Sequence, residues 1–64
     1  MQEEKNNSIH QKIKKLREKL NLTQEQFAAE VGVTFTTVNR WENGKGNPSP
    51  LAMLRIKELW SKLE

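Results

Sequence analysis

Leu22-Thr23-Gln24-Glu25-Gln26-Phe27-Ala28-Ala29-Glu30-Val31-Gly32-Val33-Thr34-Phe35-Thr36-Thr37-Val38-Asn39-Arg40-Trp41-Glu42-Asn43-Gly44 repeats one helix-start pattern. Each copy reads apolar residue, threonine, three variable residues, apolar residue. Leu22, Thr23 and Phe27 make the first copy; Val33, Thr34 and Val38 make the second. A threonine just ahead of a helical run is an N-cap, because its hydroxyl accepts a bond from an otherwise orphaned backbone N–H. Gln26, three residues after Thr23, completes a capping box, and Leu22 with Phe27 has the spacing of a hydrophobic staple. Gly32 lies between the copies, where a first helix can stop by turning left-handed. The stretch therefore predicts two short helices, 24–31 and 35–43, joined by a tight glycine turn.

That arrangement is a helix-turn-helix, which presents its second helix to a DNA major groove. At about 100° per residue, Val38 and Trp41 share one face of the second helix and belong to the core. Thr36, Asn39 and Arg40 fall on the far side, Thr37 lies beside them, and Phe35 sits at the edge. Small hydroxyls, an amide, a guanidinium and an aromatic ring suit base edges. Arginine bonds guanine O6 and N7, asparagine pairs with adenine, and a threonine methyl or a phenyl ring meets a thymine methyl.

Working outward, Ser8 caps a first helix in which Ile9, Ile13, Leu16 and Leu20 form one narrow apolar stripe. Asn21 is its expected left-handed stop. Residues 44–48 read as a loop. Ser49 then caps a last helix, with Pro50 at the first helical position, where its missing N–H costs nothing. This helix is expected to run to residue 63, with Ala52, Met53, Ile56, Leu59, Trp60 and Leu63 toward the core. Leu51 and Leu54 point elsewhere, to cover the 44–48 loop or to form a small partner surface. Residues 1–7 are polar and aperiodic and are expected to be a disordered tail, leaving 8–64 as the domain. The expected fold is all-α, a compact four-helix domain.

Composition bounds the chemistry. A chain of 64 residues is one domain at most. It has no cysteine, so neither a disulfide nor a thiolate zinc site can staple it, and helix packing must supply the core. His10 is the single histidine and cannot build a metal site unaided; it is expected to be an exposed helix residue. No apolar run approaches the ~20 residues of a membrane span, and no segment near Met1 resembles a signal peptide. A cytoplasmic protein without membrane contact is the expectation. The charge is +3, from 11 basic and 8 acidic residues. Setting aside Glu3 and Glu4 of the tail leaves 11 cations against 6 acids, a balance attracted to phosphate backbones. Lys12, Lys14, Lys15 and Lys19 read as a solvated face of the first helix. No nucleophile–base–orienter set appears, and Gly44-Lys45-Gly46 lacks the flanking strand and helix spacing of a phosphate loop. No enzymatic activity, metal or cofactor is expected.

Leu22-Thr23-Gln24 through Phe27-Ala28, then Gly32-Val33, then Val38-Asn39-Arg40-Trp41-Glu42-Asn43-Gly44 with Pro48-Ser49, resembles the lambda-repressor-like (Cro/XRE-type) helix-turn-helix family. The resemblance covers residues 9–60, and its specificity lies in the ordered combination. It implies that Arg17 pairs, partly buried, with Glu42 as a structural ion pair at the base of the recognition helix. It implies that Thr34, Phe35, Thr36 and Arg40 face the groove, which with Asn39 gives the expected base-reading set. Gln24 matches the first residue of the second helix, whose side chain and backbone N–H meet phosphate. Asn43 and Lys45 match phosphate contacts after the recognition helix, and Thr23 and Thr37 complete that expected set. Ala28 and Gly32 match small positions that let the helices approach. Phe35 departs from the commoner polar residue, which favours thymine contact or packing there. The family's usual fifth helix is missing or merged into the fourth.

The implied function is sequence-specific binding of double-stranded DNA by a small prokaryotic or phage-type transcriptional regulator. A second copy on a palindromic site is a possible partner. One alternative is the DNA-targeting module of a restriction-modification or toxin–antitoxin system. Another is a helical protein-interaction module, in which the polar face of helix 3 binds protein and salt dependence is shallow.

Overall fold

The computed structural model describes residues 8–63. The tail expected at 1–7, and Glu64, lie outside the described residues. Among those described, the chain forms α1 (Ile9–Lys19), α2 (Gln24–Val31), α3 (Phe35–Glu42) and α4 (Pro50–Ser61), with no strand. The expected all-α, four-helix fold is therefore the observed one, and no fifth helix follows α4 among the described residues.

Each helix starts on a hydroxyl. Ser8, Thr23, Thr34 and Ser49 are N-caps, and their side chains accept from the backbone N–H of Gln11, Gln26, Thr37 and Ala52. At α2 the capping box closes in both directions, with Gln26 Oε1 accepting from the Thr23 N–H at 2.8 Å. The first three helices also share a stop. Asn21, Gly32 and Gly44 have φ of 60°, 89° and 73°. The residue after each turn donates back to the helix: Leu22 N–H to Arg17, Val33 N–H to Ala28, Lys45 N–H to Arg40. These are left-handed C-terminal turns that satisfy carbonyls the helix itself leaves open.

The core is Ile13, Leu16, Phe27, Ala28, Val31, Val38, Trp41, Ala52, Ile56 and Leu59. Phe27, Ile13, Leu16 and Val38 are the largest side chains with no solvent contact. α3 packs on α2 and α1, and α4 closes the opposite side by packing on the same two helices. The α1 stripe follows the sequence pattern: Ile13 and Leu16 are buried, while Ile9 and Leu20 pack half-buried at its ends.

The expectations for the end of α4, for His10 and for Gly32 need correction. α4 ends at Ser61, so Leu63 lies beyond the last helical turn and is 39% exposed, outside the core. Met53 and Trp60 pack against the core as expected, though only partly buried. Leu51 and Leu54 are 64% and 54% exposed and do not become buried over the 44–48 loop. His10 is half-buried, not exposed; its Nδ1 is shielded without a hydrogen-bond partner among the described residues, and its ring edge lies beside Gly44. Gly32 also has a different reason from close helix approach: a Cβ placed there would meet nothing within 4 Å. Glycine is needed for the left-handed backbone, not for space.

Candidate nucleic-acid interface

The turn at Gly32 sets α3 across α2, and Val38 and Trp41 anchor α3 from its buried side. That leaves Thr34, Phe35, Thr36 and Arg40 exposed, with Phe35 at 46%. Thr37 and Asn39 are half-buried on the flanks. The Thr34 and Thr37 hydroxyls lie 3.0 Å apart, and the Thr37 N–H donates to Thr34 Oγ1 at 3.2 Å. The first turn of α3 is thereby held by its own threonines.

Arg40 is exposed yet not free. Its Nη2 donates to the Lys45 carbonyl at 3.2 Å, and its guanidinium lies against Gly46. The side chain thus runs along the loop that follows α3. The charge stays at the surface, so this single exposed bond is a weak tether.

Beneath this face lies a connected polar group. Arg17 Nε donates to Glu42 Oε2 at 2.7 Å and Nη2 to Oε1 at 3.1 Å, a two-point fork. Nη1 donates to the Leu22 carbonyl at 3.0 Å. One side chain therefore ties α1 to the α1–α2 connection and to the last turn of α3. The Glu42 side chain is 5% exposed and that of Arg17 16%. The hydrogen bond to Glu42 pushes the Arg17 pKa up, against the opposing effect of burial. Gln24 Nε2 donates to Glu42 Oε1 at 3.0 Å, and Asn39 Nδ2 donates to Gln24 Oε1 at 3.2 Å. Asn43 Nδ2 donates to the Asn39 carbonyl and to Asn39 Oδ1, at 2.9 and 3.1 Å.

The expected residues thus fall into two groups. Thr34, Phe35, Thr36 and Arg40 are exposed along α3 and its cap, Thr37 is half-buried and bonded to Thr34, and Thr23, exposed at the start of α2, and Lys45, exposed beyond Gly44, lie outside the polar network. Gln24, Asn39 and Asn43 have side chains engaged with one another and with Glu42. Sequence reasoning missed that engagement, although Asn39 stands four residues before Asn43, a spacing that brings helical side chains together.

Two capped helices around a glycine turn, with the second buried on one face and polar on the other, define a helix-turn-helix module of the DNA-binding type. A helix-turn-helix family model matches residues 13–59, and the chain belongs to the Cro/C1-type helix-turn-helix family. It is 38% identical over 53 residues to the HTH-type transcriptional activator BcrR of Enterococcus faecalis, covering 83% of this chain and 26% of that one. It is 36% identical over 59 residues to an HTH-type transcriptional regulator of Haemophilus influenzae, covering 92% and 24%. A third relative, an HTH-type transcriptional regulator of Archaeoglobus fulgidus, is 50% identical over 50 residues, covering 78% and 70%. The chain spans about a quarter of the length of the first two. No solved structure gives a significant match. No helix among the described residues is long and apolar enough to cross a membrane.

Proposed function

We propose that this domain binds double-stranded DNA in a sequence-dependent way and acts in transcriptional regulation. Thr34, Phe35, Thr36 and Arg40 face the major groove, and Thr23, Gln24, Thr37, Asn43 and Lys45 lie along the phosphates. The observation that carries this is the two-sided α3. Val38 and Trp41 are buried while Phe35, Thr36 and Arg40 stand exposed on a helix fixed by the turn before it. Phosphate contacts then set the register, and base-edge contacts set the sequence. The names of the relatives, each a transcriptional regulator or activator, support the same reading. A second copy on a palindromic site, with half-sites about 34 Å apart, would place both recognition helices on one side of the duplex.

Selection from a random pool of duplexes tests this. One enriched motif is expected, and Arg40→Ala should weaken binding to it by roughly 1–3 kcal/mol while relaxing one base position. Equal losses on the selected and a scrambled duplex would assign Arg40 to phosphate. A pool that returns no motif would sink sequence recognition, and a shallow salt dependence would favour a protein partner.

A further inference from the structure

Glu42 fixes the direction of a row of side-chain amides. Its carboxylate only accepts, so the end of Gln24 turned to it must be the donor, Nε2. Gln24 Oε1 then faces Asn39, which must answer with Nδ2. Asn39 Oδ1 is left to accept, and Asn43 meets it with Nδ2. Every donor in the row points inward, from Asn43 through Asn39 and Gln24 to Glu42. The amide orientations follow from one charge, which Gln24 alone of the three amides touches. Arg17 holds that charge from the other side at 2.7 Å.

We propose that Asn39 is a positioning residue of the DNA-binding face and does not read a base. Its DNA half rests on the function proposed above. A bond to Glu42 alone lets the Gln24 amide plane swing about one contact. The second bond, from Asn39, fixes the plane and keeps Oε1 inward. One Nε2 proton of Gln24 is then unspent among the described residues, at the first turn of α2. Donors at a helix N-terminus attract anions, whereas an oxygen turned outward there would repel phosphate. Asn39 has a second effect on Asn43. Both Nδ2 bonds of Asn43 end on Asn39, one on its carbonyl and one on Oδ1. Asn39 thereby also holds the Asn43 side-chain amide at the end of α3.

Side-chain amide NMR of the free protein and binding to duplex panels test this together. Asn39→Ala should move the side-chain amide signals of both Gln24 and Asn43. Asn39→Asp can still accept from Asn43 but cannot donate to Gln24. It should move the Gln24 signal and leave that of Asn43 near its original place. Thermal melts confirm that both variants are folded. On DNA, Asn39→Ala should weaken selected and scrambled duplexes by the same factor, about fivefold for one lost hydrogen bond, without changing the preferred sequence. Unmoved signals in Asn39→Ala, or equal disturbance of both residues in Asn39→Asp, would overturn the amide row. Relaxation at a single base position would make Asn39 a base reader and overturn its positioning role. If the wild-type chain bound no duplex, the proposed function would fall, and the NMR result would still decide the row.

Discussion

Replacing Arg17 by Met removes three hydrogen bonds, two from the Glu42 carboxylate and one from the Leu22 carbonyl. Glu42 Oε2 then has no donor, and Oε1 keeps only Gln24. A carboxylate with 5% of its side chain exposed cannot recover that solvation from water without rearrangement. Stranding one member of a buried pair costs about 3–5 kcal/mol, and the partial exposure of Arg17 places this pair near 3. A chain of this length has a total stability of roughly 3–10 kcal/mol, so Arg17→Met removes a third of it or more. Each kcal/mol moves the melting temperature by about 4–8 °C in a domain this small, so the shift is on the order of 15 °C. Glu42→Leu alone should cost less, because the guanidinium keeps Leu22 and reaches solvent more easily. The double variant should return to within about 1 kcal/mol of wild type, since two apolar side chains replace a pair that was costly to desolvate. Urea melts of the four proteins close a double-mutant cycle. A coupling below about 0.5 kcal/mol would refute the reasoning, because it would mean that the fork contributes no more than an exposed surface pair.

Gly32→Ala isolates backbone strain, since its Cβ meets nothing; it should cost about 1–2 kcal/mol, and Gly32→Asn less, as measured by urea midpoints. Equal costs for the two would argue against the left-handed turn. Thr34→Val removes the α3 cap and the hydroxyl contact with Thr37, with an expected loss of about 1 kcal/mol in thermal melts and weaker DNA binding beside it. Phe27→Ala empties the centre of the core at a cost of about 3–5 kcal/mol and should leave the chain largely unfolded by far-UV circular dichroism at 37 °C. Leu51→Ser with Leu54→Ser should leave the melting temperature within about 2 °C, because both side chains already face solvent; sedimentation of the same variant checks whether they support self-association.

The helix starts and the left-handed turns were readable because they are written locally. Thr23 with Gln26 closes its box within four residues, and Asn21 and Gly32 turn left-handed where the periodic runs end. The α3 core face was readable for the same reason, since Val38 and Trp41 need only helical spacing. What escaped depended on distances between helices. Helical angle alone puts Asn39 with Thr36 and Arg40, but the approach of α2 brings Gln24 within 3.2 Å and draws Asn39 inward. His10 reads as a surface residue until the turn at Gly44 is laid against it. Leu63 fits the apolar stripe of α4, yet the helix stops at Ser61 and the stripe stops with it. Arg40 carries the charge that the groove reading asks for, but where its guanidinium rests is set by a carbonyl in the following loop.

The hydroxyl cap at the head of every helix also bears on how fast the molecule assembles. Nucleation is the slow step of a short helix, and a cap lowers its cost with a bond that spans only three residues. Chains dominated by such near-neighbour contacts fold in roughly microseconds to milliseconds. Arg17 and Glu42 stand 25 residues apart and meet only after α1 and α3 have docked. Their substitutions should therefore accelerate unfolding and leave the refolding rate nearly unchanged. The ion pair then governs the lifetime of the folded domain, while the serines and threonines govern how soon it re-forms.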